Sequence, residues 1–221
     1  MARPRAETHE QQRDLIRDRA AIAFARLGYA SASMADLAQA CEVSKAALYH
    51  YFDSKEAILF EALDAYTRRL QELTLSYTND GETDSLSTAQ ARDRLASLIT
   101  ALLTEYADSH SYHVSLLTDV KFLGASQREK ITAQEREVVR RIGRLIDRAF
   151  PGRIEPARRS ATTMALLGMI NFTFAWWDPH GALDARQLGQ LMIDLWWRGL
   201  SGPDESAPAS AFTDLAEQQS G

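Results

Sequence analysis

The chain has 221 residues, of which 45% are hydrophobic and 25% charged, with a formal net charge of -5. These values exclude a disordered chain and allow one large domain, or a small one beside a larger one. The acidic balance argues against a protein that coats nucleic acid unselectively, while leaving room for a small DNA-reading module.

Alanine and leucine are abundant, valine is scarce, and none of the six prolines falls between residues 5 and 150. The sequence therefore favours helices over sheet. The N-terminal MARPRAETHEQQRDL lacks an apolar core, so no signal peptide and a cytoplasmic location are expected. The single cysteine, Cys41, excludes an intrachain disulfide and any Cys-based metal site.

In chain order, residues 8–28 place Ile16, Ala20, Ala23, Phe24 and Leu27 at helical spacing, closing at Gly28. Ser33 opens a short helix to Ala40, and Ser44 opens another to His50, each serine supplying an acceptor for a first-turn N–H. Asp53-Ser-Lys-Glu56 has the pattern of a capping box and starts a long helix striped by Leu59, Leu63, Tyr66 and Leu70. Residues 78–88 are polar and read as a loop. Further helices are expected near 95–106, 113–123, 126–149, 156–177 and 184–199. The uncharged run from Ser160 to Trp177 barely reaches the length of a membrane span. It carries Thr162, Thr163, Gly168, Asn171 and Thr173, and reads as a buried interface helix. The expectation is an all-α protein of nine helices with a mobile tail over 203–221.

The spacing of the second and third helices, SMADLAQA and SKAALYHY about Cys41-Glu42-Val43, is that of a helix-turn-helix. Leu37, Ala38, Val43 and Leu48 would pack the pair. Ser33, Ser44, Tyr49 and Lys55 offer donors suited to phosphate. Lys45 and His50 have the reach to touch bases or phosphates, and the methyls of Ala46 and Ala47 suit a thymine methyl. Tyr51 and Phe52 read as an aromatic helix end packed on the core.

Residues 16–60 resemble the DNA-binding domain of the tetracycline-repressor (TetR) family. The resemblance rests on Leu27-Gly28-Tyr29, Val43-Ser44-Lys45, the run from Leu48 to Phe52, and Lys55-Glu56. It implies a helix-turn-helix domain over 1–53, and a ligand-binding and dimerisation domain over 54–202 whose last two helices form the homodimer interface. The implied function is a transcriptional repressor that leaves a palindromic operator when an inducer binds. The long helix after residue 53 would act as the lever. One departure is Glu42, where the family usually has Gly. A left-handed residue there costs about 1–2 kcal/mol without glycine, so either the turn follows a different path or its surroundings carry the strain.

The segment from Asn171 to Leu200 is similar to the end of acyl-CoA-responsive members of the family, so an acyl-CoA inducer is suspected. Tyr106, Tyr112, Phe122, Phe172 and Trp176 would line an apolar pocket, with Asn171 bonding a ligand carbonyl. Each has an ordinary reading as core or interface. Residues 128–159 carry an excess of Lys and Arg, and Arg136, Arg140, Arg144 and Arg148 recur every fourth residue. This stripe is a solvated face or, through Arg140 and Arg144, a landing site for CoA phosphates. A drug-responsive repressor of efflux genes is the alternative within the family. His110 and His113, with Asp108 and Asp119, supply too few ligands in defined geometry for a metal, and no cofactor is implied. No catalytic triad, paired carboxylates or phosphate loop stands out. An all-helical enzyme and a helical interaction protein that ignores DNA are the competing classes.

Overall fold

The computed structural model describes residues 3–201, so the expected mobile tail over 203–221 lies outside the described residues. Among the described residues there is no strand. Nine helices of seven or more residues are joined by short turns: α1 (Arg3–Leu27), α2 (Met34–Ala40), α3 (Lys45–Tyr51), α4 (Lys55–Tyr77), α6 (Thr88–Asp108), α7 (His110–Thr118), α8 (Ala125–Ala149), α9 (Arg159–Asn171) and α10 (Ala185–Ser201). A single helical turn, α5 (Asp80–Thr83), lies within the polar 78–88 segment.

Local chemistry sets many of the boundaries. Gly28 closes α1 at φ 76°, a left-handed position that favours glycine. Ser33 accepts from Asp36 N while Asp36 accepts from Ser33 N, a reciprocal cap for α2. Ser44 accepts from Ala47 N at 3.1 Å and starts α3. The box expected at Asp53–Glu56 does not form. Ser54 is the cap, accepting from Ala57 N at 3.1 Å, and Glu56 instead accepts from the Gly124 N–H at 2.8 Å. A long-range donor has thus taken the carboxylate that sequence spacing assigned to its own helix.

Two expected helices are shorter than their apolar runs. The 113–123 segment begins at His110, ends at Thr118 and continues as a 3-10 turn, Val120–Phe122. The 156–177 segment is helical only over Arg159–Asn171, between 3-10 turns at Pro156–Arg158 and Phe172–Ala175. No helix among the described residues is long and apolar enough to cross a membrane.

The core is continuous. Phe24, Leu37, Leu48 and Phe52 hold the first three helices together, while Leu59, Tyr66, Leu98, Ile142 and Ile170 fill the larger bundle. Cys41 is buried beneath α1, its Sγ donating to Ile16 O at 3.4 Å. α4 packs on both α1 and α8, so one helix serves both halves.

Candidate DNA-reading surface and ligand cavity

The three-helix unit turns one face of α3 outward. Leu48 is fully buried, whereas Lys45, Ala46, Tyr49 and His50 are exposed and Ala47 is half-buried. Ser33 and Ser44 lie beside them at exposed helix starts. All eight residues expected to meet DNA therefore lie at exposed or half-buried positions on α3 or at helix starts. Phe52 is buried under the Arg13 guanidinium, 4.3 Å from its ring centroid. Arg13 also pairs with Glu61 on α4.

Lys55, the eighth, differs from the expectation of an open phosphate donor. Its ammonium donates to the carbonyls of Tyr29, Ala30 and Ala32 at 2.9, 3.3 and 3.0 Å, and lies 4.5 Å from the Tyr29 ring centroid. Three protons on three carbonyls leave no donor facing outward. The physical reason is local: the chain turns sharply after Gly28, and these carbonyls lie outside regular helix.

The departure at Glu42 resolves as strain carried in place. Glu42 adopts φ 58°. Arg19, from α1, donates to Cys41 O at 2.9 Å and pairs with the Glu42 carboxylate at 2.9 Å. One guanidinium thus holds the turn from both sides. Nothing in the spacing of the sequence marks Arg19 for this task.

In the larger bundle, α4, α6, α7, α8 and α9 enclose a cavity of about 570 Å³. Leu70, Leu116, Val138, Val139 and Leu167 form apolar wall. Tyr106, His113, Glu135 and Asn171 bring polar groups to it, and Arg136, Arg140 and Arg159 also line it, as exposed residues. Of the eight residues expected to hold a ligand, Tyr106, Arg140 and Asn171 line this cavity. The other five do not. Tyr112 is turned towards α1 and donates its hydroxyl proton to Asp18. Phe122 stacks on Tyr29, centroids 4.9 Å apart. Arg144 pairs with Asp84 at 3.1 Å. Phe172 and Trp176 are 61% and 57% exposed. They share the outside of the bundle with Met164, Leu191 and Leu195.

His113 is the residue that spacing did not reveal. Its Nε2 lies 3.1 Å from the Asn171 carbonyl oxygen, which only accepts, so Nε2 carries the proton. Nδ1 then accepts from the Tyr66 hydroxyl at 3.2 Å. The Tyr106 ring stacks on the imidazole at 3.8 Å. Burial lowers the His113 pKa to about 4, so the ring is neutral. Burial also raises the Tyr112 hydroxyl to about 12 and raises the Glu135 carboxyl above its ordinary range. Tyr66 stacks on Tyr112, completing a run of contacts from the cavity wall at Asn171 to α1 at Asp18. The His110 and His113 pair gathers no metal set: no group of three or more potential ligands occurs among the described residues.

Comparison with known proteins bears on both regions. Residues 16–62 match the family model described as bacterial regulatory proteins, tetR family, and residues 88–200 match the tetracyclin repressor-like C-terminal domain. A TetR-family transcriptional regulator from Bordetella parapertussis 12822 is 33% identical, with TM-score 0.76, over 83% of this chain and 93% of that one. PfmR from Thermus thermophilus is 26% identical, with TM-score 0.72, over 83% and 97%. AibR, solved in complex with isovaleryl coenzyme A and operator DNA, is 24% identical, with TM-score 0.71, over 83% and 97%, a likeness of fold. The uncharacterised HTH-type regulator YuxN of Bacillus subtilis is 42% identical over 57 residues, 26% of this chain and 20% of YuxN.

Proposed function

The chain belongs to the tetracycline-repressor family of DNA-binding transcriptional regulators, which are not enzymes, and from that premise we propose how this member works. It binds a palindromic operator as a homodimer in the cytoplasm, with residues 1–53 reading DNA and 54–202 holding the ligand and the partner copy. Lys45, Ala46, Ala47 and His50 meet base edges or phosphates, Ser33, Ser44 and Tyr49 meet phosphate, and Lys55 positions the unit. An inducer in the cavity shifts α4 and α7 against α1, so the two recognition helices no longer match successive major grooves.

The observation that carries this reading is the placement of the cavity. Its wall residue Asn171 connects through His113, Tyr66 and Tyr112 to Asp18 on α1. For the inducer we propose an acyl-CoA thioester, acyl end inward and phosphates at Arg136, Arg140 and Arg159. Arg159 takes the place that spacing gave to Arg144. AibR, a fold neighbour, was solved with a coenzyme A thioester.

Calorimetry and gel shift test this with phenylacetyl-CoA, a long-chain acyl-CoA, the matching free acids and CoA. A thioester should bind and release operator DNA. Arg136→Ala with Arg140→Ala should weaken the thioester response and leave ligand-free DNA affinity nearly unchanged. Binding of a cationic drug, with no thioester bound, would reverse the assignment in favour of the efflux-gene reading. In the dimer, exposed Leu195 on α10 faces the partner copy. Leu195→Asp should give monomers in sedimentation, whereas a wild type already monomeric at micromolar concentration would refute the homodimer.

A further inference from the structure

Two acceptors line the cavity without a partner. Asn171 Oδ1 is buried and accepts no hydrogen bond, and the half-buried Glu135 carboxyl has neither a hydrogen bond nor an ion pair among the described residues. Two guanidiniums that line the same cavity pair with carboxylates other than Glu135, Arg136 with Glu129 at 2.8 Å and Arg140 with Glu137 at 2.7 Å. Burial alone accounts for the raised Glu135 carboxyl, with no cation opposing it. In the same wall His113 has a partner on each ring nitrogen, and Thr163 donates to Arg159 O at 3.0 Å. The unmet groups stand on facing helices, Glu135 on α8 and Asn171 on α9.

A polar group sealed from water costs free energy unless something bonds to it. Solvent reaches the half-buried Glu135 carboxyl from the open side of the cavity, whereas Asn171 Oδ1 is closed off. A plain hydrocarbon ligand would displace that water and replace none of its bonds. The surrounding Leu70, Val138, Val139 and Leu167 require an apolar body all the same. We propose that the buried part of the ligand is an apolar body bearing an O–H or N–H donor, and that Glu135 is the residue that selects it. The inference rests on the cavity being the inducer site. It excludes unsubstituted fatty acyl chains as the best inducers and favours hydroxylated or amide-bearing acyl groups.

Calorimetric titration of the full chain tests this with phenylacetyl-CoA against its ortho-, meta- and para-hydroxy derivatives, and with 4-propylphenol against propylbenzene. All four thioesters carry the same CoA, so their differences report the buried end alone. The wild type should bind at least one hydroxy isomer about tenfold or more tighter than phenylacetyl-CoA, since hydrogen bonds to charged acceptors are among the stronger ones. Glu135→Leu should abolish or reverse that preference and raise the melting temperature, because it removes an unpaired, half-buried carboxyl from an apolar wall. Glu135→Gln, which keeps an acceptor of the same shape, should retain part of it. Equal affinities in the wild type, or a preference unchanged in Glu135→Leu, would overturn the proposal. Thioesters that bind without preference sink the donor inference and leave the thioester reading standing. A preference confined to 4-propylphenol does the opposite, and no binding by any probe removes both.

Discussion

In the DNA-reading unit, serines cap α2, α3 and α4 from one residue before each helix, and the carbonyls of Tyr29, Ala30 and Ala32 are collected by a single ammonium. In the cavity, five helices contribute to the wall, and two lining residues, Glu135 and Asn171, keep side-chain acceptors with no hydrogen bond among the described residues. The first region is closed upon itself by bonds among its own residues, so its outer face is held fixed for a rigid target. The second leaves its bonding incomplete where an occupant is to be exchanged. The contrast separates presenting a surface from receiving a guest.

The largest test of that contrast is acidification. In the folded chain His113 sits at about 4 against an ordinary value near 6.5, so between those values the unfolded chain binds more protons. Stability is therefore fully present above about pH 6.5 and is lost as pH falls through about 4, by roughly 3 kcal/mol. Thermal melts across this window should show the loss, and His113→Gln should flatten it. A profile as steep in the variant would place the sensitivity elsewhere.

Lys55→Ala comes next. Removing three charge-assisted bonds should destabilise the fold by about 2 kcal/mol, read from urea melts. The salt slope of DNA binding should stay unchanged. A slope lower by about 0.9 per lost phosphate contact would mean that Lys55 leaves the carbonyls and reaches DNA after all.

The smallest effect is expected at Glu42. Replacing it with Gly relieves a left-handed backbone, worth about 1 kcal/mol, and gives up an ion pair whose carboxylate is largely exposed. A slight rise in melting temperature is expected. A fall would show that the Arg19–Glu42 ion pair contributes more than the left-handed backbone costs.

Legibility in the sequence follows the same division. Ser33 and Ser44 could be read because a cap acts over three residues, and the apolar stripes of α4 and α8 could be read because a helix repeats. Glu56 could not, because its partner Gly124 is remote in sequence. In the cavity, Arg140 and Asn171 stood out as polar residues on otherwise patterned helices. Tyr112, Phe122, Phe172 and Trp176 were misplaced because aromatic identity does not say which way a ring faces. Asp18 draws Tyr112 to α1, Tyr29 draws Phe122, and the end of α9 at Asn171 turns Phe172 and Trp176 outward. Glu135 gives no signal and His113 only the spacing of an incomplete metal set, since their roles depend on groups from other helices.

The burial of Cys41 has a practical side. It is the chain's single cysteine, 2% exposed, hydrogen-bonded to Ile16 O, and its pKa is raised by desolvation. Thiolate is the reactive form, so the native protein offers maleimide reagents almost no target. The molecule is thus already a cysteine-silent background for spectroscopy. A thiol introduced at exposed Gln39 on α2 would accept a spin label with little competing signal. In a dimer, the label-to-label distance would then report directly how far apart the two reading heads stand, with and without inducer.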